Sequence, residues 1–264
     1  MKENIVFDDL RTVCSYDIAC LSGIGRRESQ QDHAYAAAND MAVFAVVCDG
    51  MGGIEGGSLA SATAVEAFTE YYQYYTAQST EEMDFRWMQQ AAESVDDIVY
   101  SLKNKDGNRI GAGTTLASVA ISRSQLYWLS VGDSRIYIFR GNEMVQVTND
   151  HNYFFQLNQQ LADGLISRNK YHEEAENGEA LISFIGMGGI LLMDLNEAGF
   201  SLQAGDTVLI CTDGLYRSVP GDEMQKIVGS SSTAEEAISC LKKTIADKAY
   251  PWQDNYTCIL IRKV

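Results

Sequence analysis

Five aspartates, Asp32, Asp49, Asp133, Asp213 and Asp254, stand where apolar runs meet turns, in GRRESQQD, VFAVVCDGMGG, YWLSVGDSRIY, VLICTDGLY and QDNYTCILI. Carboxylates gathered together repel one another unless a divalent cation neutralises them. Taken singly, each has a plainer explanation, because Asp-Gly is a favoured turn pair and Asp is frequent at strand ends. The set points further. In AVVCDG, WLSVGDS, LICTDG and DNYTCILI the acid abuts a run apolar enough for a central strand, so a rigid core can hold the carboxylates at one sheet end. Hard oxygen ligands of this kind select Mg²⁺ or Mn²⁺. A two-cation site bridged by a carboxylate would hold a water between the metals, lower its pKa and supply hydroxide at neutral pH. Arg27, five positions before Asp32, offers the planar cationic fork that matches phosphate oxygens; its alternative is an ordinary surface role. Arg26 beside it is the weaker candidate.

Elements to position these groups are written in the hydropathy pattern. Runs rich in β-branched and aromatic residues predict strands at 12–20, 33–38, 41–48, 115–122, 125–131, 135–140, 143–148, 207–211 and 256–263. Helical spacing of apolar residues covers 57–77, 83–105 and 232–250, the last opening on a capping-box pattern, Thr233 with Glu236. Strands joined by short turns pair antiparallel, and long helices must then cover the outer sheet faces. The expected fold is α+β, a four-layer α/β/β/α sandwich with two central antiparallel sheets. Segment 152–190 reads as a short helix and turn followed by a loop-like acidic stretch, YHEEAENGEA. The two MGGI tetrapeptides, at 51–54 and 187–190, are too short to mark a duplication. With two Pro and no Ser/Gly-rich or charged linker, residues 1–264 read as a single domain.

Composition narrows the function. A net charge of −16, from 36 acidic and 20 basic residues, argues against nucleic acid or an anionic membrane as partner. No apolar run approaches the ~20 residues of a membrane span, and MKENIVFDDLRT has no apolar signal core, so a cytoplasmic protein is expected. Six Cys show no C-x-x-C pair, and Cys48, Cys211 and Cys258 lie inside apolar runs, as reduced, buried thiols would. The three His, at 33, 151 and 172, lack metal-ligand spacing and read as structural or exposed. DGMGGIEGGSLAS precedes a helix but carries no G-K-[ST] or G-x-G-x-x-G, so a nucleotide loop is disfavoured. Ser58 and Ser134 lack a nucleophile elbow. The aromatic stripe EAFTEYYQYYTA reads as a helix packing its rings on a sheet rather than as a docking face.

The segments together resemble the metal-dependent type 2C Ser/Thr protein phosphatases, in order and over nearly the whole chain. The family's R-x-x-N-(E/Q)-D appears as Arg27 to Asp32, its D-G-(M/H)-G-G as Asp49 to Gly53, and its G-(T/S)-T as Gly113 to Thr115. V-G-D-S-R follows as Val131 to Arg135, D-H as Asp150-His151, (S/T)-D-G-L as Thr212 to Leu215, and D-N as Asp254-Asn255.

The resemblance implies that Asp49 bridges two Mn²⁺ or Mg²⁺ ions, with the Gly50 carbonyl, Asp213 and Asp254 completing their shell. Asp32 would orient a metal-bound water, Asp133 with Asp213 would hold a third, weaker ion, and Arg27 would clasp the substrate phosphate. Residues 152–190 would be the flap beside the site. The implied activity is hydrolysis of phosphoserine and phosphothreonine in proteins by a metal-activated water, on targets of a cognate Ser/Thr kinase, by a monomer. Two departures stand out. Gln30 replaces the usual Asn, which would shift a hydrogen bond around Asp32, and Met51 sits where some members carry a His proposed as general acid. Protonation of the leaving alkoxide would then fall to a metal-bound water or another group. The alternatives are a noncatalytic relative that binds a phosphopeptide or partner, and a metal-dependent phosphodiesterase.

Overall fold

Alternation along a single strand decides the architecture. In the run VFAVVC, Val43, Ala45 and Val47 join one apolar cluster while Phe44, Val46 and Cys48 join another, and all six are buried. A strand buried on both faces must lie between two layers. The computed structural model describes residues 5–8, 15–38, 42–78, 86–196 and 198–264.

The elements are β1 (Ile5–Asp8), β2 (Tyr16–Gly23), β3 (Asp32–Ala38), β4 (Ala42–Met51), α1 (Gly53–Gln78) and α2 (Arg86–Tyr100). Then come β5 (Gly113–Thr114), β6 (Leu116–Ser122), β7 (Gln125–Val131), β8 (Arg135–Arg140) and β9 (Glu143–Gln146). These are followed by α3 (Tyr153–Ala162), α4 (Arg168–Glu174), β10 (Asp194–Leu195), β11 (Phe200–Ser201) and β12 (Thr207–Cys211). The chain continues through α5 (Asp213–Tyr216), α6 (Gly221–Ser230), α7 (Ala234–Lys248) and β13 (Tyr256–Lys263). One sheet runs β1-β3-β4-β6-β7-β10, with β11 also on β7 and β5 on β4; the other runs β2-β13-β12-β8-β9. Ile136, Val208, Ile210, Ile259 and Ile261 of the second sheet meet the inner face of the first. Helices α1 and α2 cover one outer face, α6 and α7 the other. This is the expected α/β/β/α sandwich.

Several boundaries differ from expectation for local reasons. The second helix ends at Tyr100 rather than 105 because Asn104 Oδ1 accepts from the backbone N–H groups of Asp106 and Asn108, closing a turn that competes with helix. The acidic stretch expected as a loop is partly helical: Ser167 caps α4, and Lys170 pairs with Glu174 one turn on. The pairing of β1 with β3 is parallel, unlike the ladders around it. At α7, Thr233 Oγ1 accepts from the Glu236 N–H as expected, but Glu236 reaches back to the N–H of Ser232. Helix α1 packs its stripe inward through Phe68 and Tyr72, the latter stacked 4.1 Å from Phe44, while Tyr74 stays exposed. Cys48, Cys211 and Cys258 are buried free thiols; Cys14 and residues 83–85 lie outside the described residues.

Candidate active site

Antiparallel pairing brings the aspartates to one end of the sandwich. Asp32 opens β3 and Asp49 lies near the end of β4, directly opposite it in the ladder. Asp213 follows β12 and Asp254 precedes β13, so the pairing of those strands places both at the mouth of the second sheet. Asp133 sits in the crossing from β7 to β8, where the chain passes from one sheet to the other.

Each acid is fixed by its neighbours. The backbone of Asp49 is clamped by Thr114 and Thr115: its N–H donates to Thr115 Oγ1 at 2.9 Å, and its carbonyl accepts from Thr114 Oγ1 at 2.8 Å. The next residue has to be glycine, since a Cβ on Gly50 would lie 2.0 Å from the Gly57 carbonyl oxygen. Thr212 donates to Asp32 Oδ2 at 2.9 Å. Gln30 accepts from the Asp32 N–H through Oε1 and donates through Nε2 to Ser22 Oγ, tying the start of β3 to β2 of the other sheet. His151 brackets the Asp133 turn by accepting from the Gly132 N–H at 3.1 Å and donating its own N–H to the Gly132 carbonyl. Gly132 adopts φ 101, a region that favours glycine.

The charge balance is unusual. Burial, reinforced by Asp213 and Asp254, pushes the Asp32 carboxyl up to about 7 against hydrogen bonds from Thr212 and Thr257 that act to lower it. Burial followed by repulsion from Asp32, Asp213, Asp133 and Asp254 drives Asp49 well above the ordinary carboxylate range. Asp133 rises to about 7, chiefly by burial, with Asp213 and Asp150 adding. Asp213 is raised by burial, opposed by Arg217. Two guanidinium groups offset part of this: Arg27 Nη2 lies 2.5 Å from Asp254 Oδ2, and Arg217 Nε lies 2.9 Å from Asp213 Oδ2.

The donor set fits divalent cations. Asp32 Oδ1 and Asp213 Oδ1 are buried without a hydrogen-bond partner, and five carboxylates face a common region with too few protein cations to neutralise them. Among the described residues no three His, Cys, Asp or Glu side chains stand close enough together to hold an ion without moving. Alongside lies a cavity of about 620 Å³ bordered by Arg135, Asp150, Phe155, Glu179, Tyr216 and Arg217.

The sequence pattern of Protein phosphatase 2C matches residues 22–249. The chain belongs to the protein phosphatase 2C family. The serine/threonine phosphatase stp of Listeria monocytogenes serotype 4b (strain F2365) is 34% identical over 224 residues, covering 83% of each chain. The S. agalactiae serine/threonine phosphatase superposes with a TM-score of 0.76 at 25% identity, over 94% of this chain and 99% of that one. The catalytic domain of the phosphatase PstP, solved with two manganese ions, shares the fold with a TM-score of 0.72 at 22% identity, over 95% and 99% of the two chains.

The structure brings Asp32, Asp49, Asp133, Asp213 and Asp254 within electrostatic reach of one another, and Arg27 stands beside Asp254. Sequence reasoning did not assign Arg217 or Asn255 a role. Asn255 is buried; its Nδ2 donates to the carbonyls of Ile24 and Ser29 and its Oδ1 accepts from the Gln31 N–H, so it holds the loop that carries Arg27. The D-N pair was the available signal. Arg217 lies one turn after Asp213, a spacing visible in TDGLYR but ordinary on any helix.

Proposed function

We propose that this chain is a metal-dependent protein serine/threonine phosphatase that hydrolyses phosphoserine and phosphothreonine by direct attack of water. The observation that carries the reading is the meeting of Asp32 and Asp49 across the β3–β4 ladder beside Arg27, with two carboxylate oxygens of the cluster buried and unpartnered. Asp49, the Gly50 carbonyl, Asp213 and Asp254 are the residues to hold two Mn²⁺ or Mg²⁺ ions, and Asp133 with Asp213 a third. Bound ions supply a water of lowered pKa and neutralise charge on the phosphoryl group.

Arg27 is anchored and still accessible: its loop is pinned by Asn255, one arm of its fork pairs with Asp254, and its side chain is 56% exposed. It binds the phosphate oxygens and orients the ester for in-line attack. Asp32 is locked through Oδ2, which leaves Oδ1 to orient the attacking water and accept its proton. Met51 carries no proton to give, so the leaving alkoxide is protonated by solvent or another group of the site.

Residues 152–190, spanning α3 and α4, form a flap subregion within a single catalytic domain. The protein works as a cytoplasmic monomer on proteins phosphorylated by a cognate Ser/Thr kinase. Among the described residues no helix is long and apolar enough to cross a membrane. The test is hydrolysis of p-nitrophenyl phosphate and of a phosphothreonine peptide with Mn²⁺, then with EDTA. Activity is expected only with the ion, and is expected to vanish in Asp49→Ala and Asp213→Ala; full activity in EDTA would refute the mechanism. A diester control separates it from a phosphodiesterase.

A further inference from the structure

Beside the proposed phosphate clamp lies a rigid aromatic surface that the hydrolytic chemistry does not use. Helix α7 is capped by Ala249, whose left-handed φ of 46 turns the chain into the segment Tyr250 to Gln253, and the Gln253 N–H closes that turn on the Tyr250 carbonyl at 3.2 Å. The buried Gln253 side chain anchors the turn to α5, donating to the Gly214 carbonyl at 3.0 Å and accepting from Ser218 Oγ at 2.6 Å. On this base the Trp252 ring stacks on Tyr250 with centroids 4.5 Å apart and planes 12° from parallel. Trp252 is nevertheless 55% exposed, and Ile24 is 46% exposed.

The turn is joined directly to the Arg27 loop. The Arg26 N–H donates to the Gln253 carbonyl at 2.8 Å, the Arg27 N–H to the Ile24 carbonyl at 3.3 Å, and Arg27 reaches Asp254. A phosphorylated side chain seated on Arg27 therefore brings its own backbone over these two loops. An extended chain advances ~3.5 Å per residue, so positions one or two away from the phosphorylated residue lie within about 7 Å of it.

We infer that Trp252, stacked on Tyr250 in the turn bonded to the Arg27 loop, is a specificity-determining surface that receives an apolar side chain of the substrate adjacent to the phosphorylated residue. An apolar partner fits because the ring is already held in place, so contact buries aromatic surface without ordering a loop. This rests on the phosphatase reading above and extends it to the kind of sequence preferred.

The experiment compares two phosphothreonine peptides that differ only in the flanking positions, Leu in one and Ser in the other, with p-nitrophenyl phosphate as reference, on wild type, Trp252→Ala and Trp252→Phe. Wild type is expected to favour the Leu peptide about tenfold in kcat/KM, the effect of burying one apolar side chain. The preference should reside in KM, fall close to unity in Trp252→Ala and return in Trp252→Phe. Equal use of both peptides by wild type, or a preference that survives in Trp252→Ala, overturns the inference. So does a parallel loss on both peptides and the reference, which marks a structural role. Failure of wild type to hydrolyse any of the three with Mn²⁺ would instead overturn the phosphatase reading.

Discussion

Asp32 and Asp49 are paired residues of adjacent strands, one opening β3 and the other near the end of β4, so a buried carboxyl and a half-buried one face each other across a single rung. Like charges directly opposite are destabilising, which means the fold keeps this pair at a cost in its own stability. Replacing Asp49 by Asn removes the repulsion while keeping the shape. At pH 8 in EDTA, Asp49→Asn is expected to raise Tm by roughly 2–4 °C, the shift that ~1 kcal/mol makes in a domain of this size. The same variant should lose the Tm increase that Mn²⁺ gives wild type. Differential scanning fluorimetry reads both, and a lower Tm in EDTA would contradict the electrostatic account.

Arg27 is expected to act on substrate binding more than on assembly of the site. Arg27→Ala should raise KM for p-nitrophenyl phosphate by about 10- to 100-fold, and Arg27→Lys should recover only part, since an ammonium cannot offer the bidentate fork. Thermal stability should change little, because the Arg27 to Asp254 pair is well exposed on the Arg27 side. A large loss of kcat with KM unchanged would place Arg27 elsewhere in the mechanism.

The pH dependence of the metal-free protein follows from Asp133, raised by burial from 3.8 to about 7. An unfolded carboxyl releases its proton near pH 4. Between there and about pH 7 the native state binds the more protons, so this contribution is whole below pH 4 and is lost as pH rises through 7. In EDTA, urea unfolding from pH 5 to 8 should therefore show wild type losing stability relative to Asp133→Asn. Parallel curves would contradict the raised value. Mn²⁺ should reverse the trend, because it binds the deprotonated form.

Asn255 holds three backbone groups of the 24–31 loop from a buried position. Asn255→Ala leaves them without partners and should cost roughly 2–4 kcal/mol in urea denaturation. Displacement of Arg27 should also lower kcat/KM by one to two orders of magnitude. Unchanged stability would show that water replaces the amide without penalty.

The parts legible in the sequence were those with a strong local signal. β7, β8, β12 and β13 fall where runs of β-branched, aromatic and other apolar residues meet Gly or Asp, and the candidate acids sit at the strand ends that the apolar runs predict. What escaped depends on contacts far apart in the chain. β5, β10 and β11 are two residues each and exist only because β4 or β7 offers them an edge. β1 pairs in parallel with a strand 29 positions on, which no turn signal announces. Helix α6 follows Pro220 with a short apolar stripe, Met224 and Val228, too sparse to register as a period. In the site, the convergence of the acids was inferable from their types, whereas the ties of Arg217 to Asp213 and of Asn255 to the Arg27 loop required the packed chain.

Crystals grown with Mn²⁺ and measured at the manganese absorption edge test the central claim most directly. Anomalous peaks are expected among Asp49, the Gly50 carbonyl, Asp213 and Asp254, about 2.1 Å from the ligating oxygens, with the bridging position at Asp49. Peaks elsewhere, or none in that cluster at saturating Mn²⁺, would contradict the account.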